Sequence, residues 1–88
     1  MQVFPCEISK RATKELNQLD SSTKKRVQER IKRLEIDPFP QEIVRVENFG
    51  DEKTFRVRVG DYRILYVVRY NPEKIIIVKI DRRERVYD

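Results

Sequence analysis

The stretch from Thr54 to Val68 constrains this chain more than any other. Phe55, Val57 and Val59 alternate with Arg56 and Arg58. Alternation with a period of two predicts a strand with one apolar and one cationic face. Gly60-Asp61 interrupts the run. Gly followed by a polar residue suits a two-residue II′ hairpin turn, because Gly takes the positive φ at the first turn position. Tyr62 to Val68, rich in aromatic and β-branched residues, predicts the returning strand.

The turn fixes the register, and the register places the charges. With Gly60 and Asp61 as the loop, Val59 faces Tyr62, Arg58 faces Arg63, Val57 faces Ile64, Arg56 faces Leu65 and Phe55 faces Tyr66. Residues directly opposite each other share a face. One face therefore carries Phe55, Val57, Val59, Tyr62, Ile64, Tyr66 and Val68, and reads as core. The other carries Arg56, Arg58 and Arg63, with Leu65, Val67 and Arg69. An ordinary solvated face would account for the second set. Like charges directly opposite each other destabilise a sheet, and the Arg58–Arg63 pair raises the alternative of a site for a polyanion.

With 88 residues the chain makes one domain, residues 1–88, with a compact core. The formal charge of +5 favours an anionic partner such as nucleic acid, the ribosome or an acidic protein. There is no His, which removes the usual metal ligand and the usual acid/base at neutral pH. Cys6 is the single cysteine, so no disulfide can form within the chain and no Cys/His metal site is available. Between Phe4 and Ile8, Cys6 reads as an inert thiol on a strand. No metal and no cofactor are expected. Met1 is not followed by a basic-then-apolar leader, and no apolar run approaches the ~20 residues of a membrane span. A cytoplasmic protein is the expectation, with no membrane partner.

Gln2 to Ile8 reads as a short strand that Pro5 confines to an edge. Ser9 suits a helix N-cap, and Ala12, Leu16 and Leu19 form one apolar helix stripe. Asp20 or Ser21 caps a second helix, in which Val27, Ile31 and Leu34 repeat the spacing. Lys24, Lys25, Arg26, Lys32 and Arg33 lie outside that stripe, as a solvated face or as contacts to a nucleic-acid backbone. Asp37-Pro38-Phe39-Pro40 stops the helix. A short strand is expected over Ile43 to Glu47, a turn or loop over Asn48 to Glu52, and a second turn over Asn71 to Lys74. Ile75 to Ile80 predicts a largely buried strand. Taking Ile76, Val78 and Ile80 as its core side puts Ile77 and Lys79 on the cationic side, and continuing the strand adds Asp81 and Arg83. The fold class is α+β: an N-terminal strand, a two-helix hairpin, then an antiparallel β-meander of three or four strands.

Phe49-Gly50, the run Phe55 to Tyr66 containing Arg-Val-Gly-Asp-Tyr-Arg, and Ile80-Asp81-Arg82-Arg83 ending in Val86-Tyr87 resemble the RelE/ParE toxin superfamily. The resemblance spans essentially the whole chain and implies the RelE-like fold. RelE-like members are ribosome-dependent endoribonucleases, or mRNA interferases, that cut mRNA in the A site. The resemblance implies catalytic roles for Arg56, Arg58, Arg63, Arg83 and Tyr87. Tyr87 could stack on a base to orient the nucleotide, or merely pack against the sheet edge. Lys79, Arg82 and Arg85 are assigned to RNA binding alongside them. Arg45 and Arg69 read as solvated surface, the reading that composition alone also gives Arg85. Arg82 stands where many relatives carry His.

Three functions follow from the resemblance. The first is the A-site endoribonuclease, which inhibits translation. The second is a ParE-like inhibitor of DNA gyrase, which cleaves nothing. The third is a degenerate toxin that only binds its antitoxin. All three imply a small acidic, RelB-like antitoxin as partner, with the chain a monomer or part of a toxin–antitoxin heterocomplex. The first adds ribosome and mRNA. Arginines stabilise phosphate charge well but hold their protons too firmly to act as bases. The 2′-oxygen would then depend on hydroxide, a ribosomal group, or a carboxylate such as Glu52 or Glu84.

Overall fold

The computed structural model describes residues 3–41, 43–49 and 52–82. The elements run β1 (Cys6–Ile8), α1 (Lys10–Asn17), α2 (Ser21–Ile36), β2 (Val44–Phe49), β3 (Glu52–Val59), β4 (Tyr62–Arg69) and β5 (Lys74–Arg82). The strands form one sheet in the order β1-β5-β4-β3-β2. Strands β2 to β5 are the expected antiparallel meander, and β1 adds a fifth strand parallel to β5. Parallel neighbours need a long connection, and here both helices and the strands β2 to β4 lie between β1 and β5 in the chain. Pro5 precedes this edge strand, and its carbonyl accepts from Ile75 N at 2.9 Å.

Both helices begin on side-chain caps. Ser9 Oγ accepts from Ala12 N at 3.1 Å, and Asp20 Oδ2 accepts from Thr23 N at 3.2 Å. Each satisfies a first-turn donor that has no partner within the helix. The helices lay Ala12, Leu16, Val27, Ile31 and Leu34 on one side of the sheet, against Val57, Val59, Ile64, Tyr66, Ile75, Ile77 and Ile80. Tyr66 is fully buried, and its hydroxyl donates to Pro38 O at 2.7 Å, which ties the end of α2 to the middle of the sheet. Burial, reinforced by the charges of Glu35 and Glu7, pushes the Cys6 thiol up to about 12, in keeping with an inert cysteine.

The structure corrects two expectations. Asn48 and Phe49 belong to β2 and Glu52 opens β3, so most of the expected loop is strand. The face assignment of β5 is also half wrong. Ile75 and Ile77, not Ile76 and Val78, are buried with Ile80 in the core. The register to β4 slips between Leu65 and Tyr66, which face Lys79 and Ile77 and leave Val78 as an extra residue. A bulge of this kind resets which side chains point inward. Helix α1 supplies partners there: Glu15 Oε1 accepts from Ile80 N at 2.7 Å, and Ser9 Oγ donates to Val78 O at 3.4 Å.

Candidate functional site

Strands β3 and β4 pair in the register that the Gly60-Asp61 turn dictates, from Val59↔Tyr62 to Thr54↔Val67. Gly60 has φ +56°, while Asp61 is not among the residues with positive φ, as a II′ turn requires. With β5 added, the sheet face away from the helices consists of cross-strand rows. Arg58, Arg63 and Asp81 form the row nearest the turn. Arg56, Leu65 and Lys79 form the next, and Thr54, Val67 and Ile76 the third. Arg69 pairs with Lys74 beyond that.

The first two rows gather Arg56, Arg58, Arg63 and Lys79 with one carboxylate of the described rows, Asp81. Arg63 donates to it through both Nε, at 3.0 Å, and Nη2, at 2.9 Å. Lys79 Nζ approaches the same carboxylate at 3.2 Å. The side chains of Arg63 and Asp81 are only 22% and 21% exposed, so this bidentate pair holds the guanidinium plane in a fixed orientation. Arg58 is exposed and Arg56 half-buried. The third row closes this surface: Thr54 is 0% and Val67 2% exposed, although neither faces the helices. Val67 therefore belongs by register to the cationic side but is not part of an open polar face.

The structure brings four of the candidate residues together, namely Arg56, Arg58, Arg63 and Lys79. It separates Arg82 from them. Arg82 faces Tyr62, so it shares a side with the helix-facing residues rather than with Arg63. Arg83, Arg85 and Tyr87, like Glu84, lie outside the described residues. Glu52 lies at the opposite end of the surface, where it accepts from Arg69 at 2.7 and 2.8 Å. That hydrogen bond holds its carboxyl below the usual range, so Glu52 is poorly suited to act as a base near neutrality.

Two residues escaped sequence reasoning. The alternation along β5 puts Asp81 on the cationic side without assigning it a role; its partnership with Arg63 depends on the β4–β5 register, which the bulge obscures. Arg30, on α2, is only 6% exposed. Its signal was available: it lies three residues after Val27 and four before Leu34, on the flank of the buried stripe. Among the described residues, no group of His, Cys, Asp and Glu could hold a metal ion, and no helix is long and apolar enough to cross a membrane.

Known proteins resemble this chain along nearly all its length. The family described as the ParE toxin of type II toxin–antitoxin systems, parDE, matches residues 6–87. A Methanocaldococcus jannaschii protein that bears the name toxin RelE1 is 40% identical over 85 residues, covering 96% of this chain and 94% of its own. The structure of the archaeal RelE–RelB complex from Pyrococcus horikoshii contains a chain with a TM-score of 0.82 at 32% identity, covering 97% of this chain and 100% of its own. The toxin–antitoxin complex RelBE2 from Mycobacterium tuberculosis gives 0.81 at 23% identity, with 94% of both chains covered, a likeness of fold.

Proposed function

This chain belongs to the RelE/ParE superfamily of toxins from type II toxin–antitoxin systems, and on that premise we propose that it is a ribosome-dependent endoribonuclease that cuts mRNA in the A site. The observation that carries this reading is the cationic cluster at the hairpin end, where the described strand rows bring Arg56, Arg58, Arg63 and Lys79 together around Asp81. In the reaction, a ribose 2′-oxygen loses its proton and bonds to the adjacent phosphorus, while the 5′-oxygen leaves and takes up a proton. Charge accumulates on the phosphate oxygens. Guanidiniums fixed by the sheet stabilise that charge without having to reorganise. Arg56, Arg58 and Arg63 take this role, with Arg83 and Tyr87 assigned by resemblance to phosphate contact and base stacking. Lys79 would hold the RNA beside them, while Arg82, on the other side of the sheet, and Arg85 keep an RNA-binding role by resemblance alone. A small acidic, RelB-like antitoxin is the cognate partner, and the cytoplasm the site of action.

None of the assigned groups has an ordinary pKa near neutrality. The base for the 2′-oxygen is then hydroxide or a ribosomal group, and the single-turnover rate should rise with pH without a bell-shaped optimum. Arg56→Lys should keep or gain activity at about pH 8 to 9, because a lysine among cations loses its proton more readily. A bell-shaped wild-type profile would instead call for a carboxylate base.

Primer extension on translating ribosomes tests the reading. Cuts at the A site are expected, with free RNA spared. The matching family is described by ParE, which favours gyrase inhibition as the second reading. Intact mRNA in arrested cells, together with relaxed plasmid DNA, would establish that one.

A further inference from the structure

Helix α2 carries Arg26, Arg30 and Arg33 at spacings of four and three residues, on a stripe beside its buried face. That stripe faces the turn of the β3–β4 hairpin. A Cβ at Gly60 would meet Arg26 Nη2 at 3.2 Å and Nη1 at 3.3 Å, so the guanidinium lies directly against the turn. Between them is a cleft of about 510 Å³, lined by Arg26, Arg30, Arg33 and Arg58, with Glu29 the one carboxylate among its described lining residues. Among the described residues, Arg26, Arg33 and Arg58 form no ion pair.

Arg58 connects this cleft to the cationic sheet face. It belongs to the row of Arg63 and Asp81, yet it also lines the cleft. The connection exists because β2 pairs with β3 only as far as Val44↔Arg56, so among the described residues Val57 to Val59 have no strand partner on that edge. A continuous band of guanidiniums therefore passes from the sheet face, around the free end of β3, to α2.

We propose that this cleft is a second phosphate-binding site, which grips RNA backbone outside the cleavage site. Guanidiniums bind phosphate in a planar fork and stay charged at any physiological pH. A band that continues over two faces fits one long polyanion better than a short acidic peptide. The proposal rests on the RNA-directed reading above and adds where the RNA or ribosome is held.

The test uses the full chain, a fluorescently labelled RNA hairpin and intact ribosomes. Arg26 and Arg33 are exposed, so the double variant R26Q/R33Q should melt like the wild type. For both probes its Kd should rise about tenfold at physiological salt, and the slope of log K against log salt should fall by about 1 to 2. Single-turnover cleavage at saturating ribosomes should be unchanged, and R26K/R33K should recover most of the affinity. An unchanged Kd and slope, with wild-type RNA binding intact, would overturn the proposal even if A-site cleavage is confirmed. Weakened binding of an acidic antitoxin with RNA binding unchanged would overturn it in favour of a peptide dock. If the wild type cut no mRNA while the variant still bound RNA more weakly, the site would stand and the ribonuclease reading would fall.

Discussion

At the far end of the outer sheet face, Arg69 forms a bidentate pair with Glu52, and Lys74 pairs with Glu7 at 3.2 Å. At the hairpin end, Arg63 forms the same kind of pair with Asp81, but Lys79 shares that carboxylate and Arg58 faces Arg63 directly. The residue types are the same, and in the ion pairs of the described residues only the far end gives each cation its own carboxylate. There, the charges are balanced and the pair is about half exposed, with side chains at 48% and 40%. Such pairs are surface fastenings of small energetic weight. At the hairpin end the arginine is oriented while the local charge stays positive. An ion pair can therefore neutralise one surface and equip another, depending on what surrounds it.

The largest effect that would sharpen this contrast is on cleavage. Arg63→Ala should lower the single-turnover rate on ribosomes by about 10²–10³-fold, the usual loss when a fixed charge-stabilising donor is removed. Arg69→Ala should stay within about twofold, as a surface change remote from the chemistry. Equal losses in the two variants would erase the distinction.

Stability offers a second contrast. Ile64, beside Arg63 on β4, is fully buried, and Ile64→Ala should cost about 2–5 kcal/mol in chemical denaturation. Arg63→Ala should cost about 1 kcal/mol, since it breaks a partly solvated pair but leaves Asp81 the contact with Lys79. A larger loss from Arg63→Ala would show that its main role is structural.

Asp81→Asn tests orientation apart from charge. Removing the carboxylate frees the Arg63 guanidinium and makes the surface more positive. Cleavage should fall about tenfold through misplacement, while ribosome affinity rises. A purely structural role for Asp81 would lower both together. Glu52→Gln at the far end should change neither.

The smallest effect is on acid stability. The Glu52 carboxyl lies below its usual value of 4.5 because of its hydrogen bond from Arg69. A lowered folded-state pKa gives a contribution that is present above the usual value and lost as pH falls through the lower one. Wild type should therefore lose slightly more of its melting temperature than Glu52→Gln as pH falls from about 5 to 3. The absence of any difference would make the fastening energetically neutral.

Several elements were legible from residue pattern alone. Ser9, and the pair Asp20 or Ser21 of which Asp20 is the cap, announced both helix starts, and the Ala12–Leu16 and Val27–Ile31–Leu34 spacings announced the faces they bury. The hairpin register from Arg56 to Arg63 followed from one glycine and one alternation. These features are local: a cap acts within one turn, and a two-residue loop leaves its strands no freedom to slip.

What only the tertiary structure decided lies across longer separations. The face switch at Val78 reverses the inward side of β5, and its neighbours are braced by Ser9 and Glu15 from the other end of the chain. Nothing in the apolar run Ile75 to Ile80 distinguishes one face from the other, because almost every residue there can be buried. The same switch brings Asp81 opposite Arg63, and so decides which arginine is held. The approach of Arg26, Arg30 and Arg33 to the hairpin turn likewise depends on how α2 packs across the sheet. The sequence by itself determined the caps, the helix faces, the hairpin and its cationic side, since each is a matter of neighbours in the chain. Packing decided the partners of those charges, since residues distant in sequence meet only when the core closes.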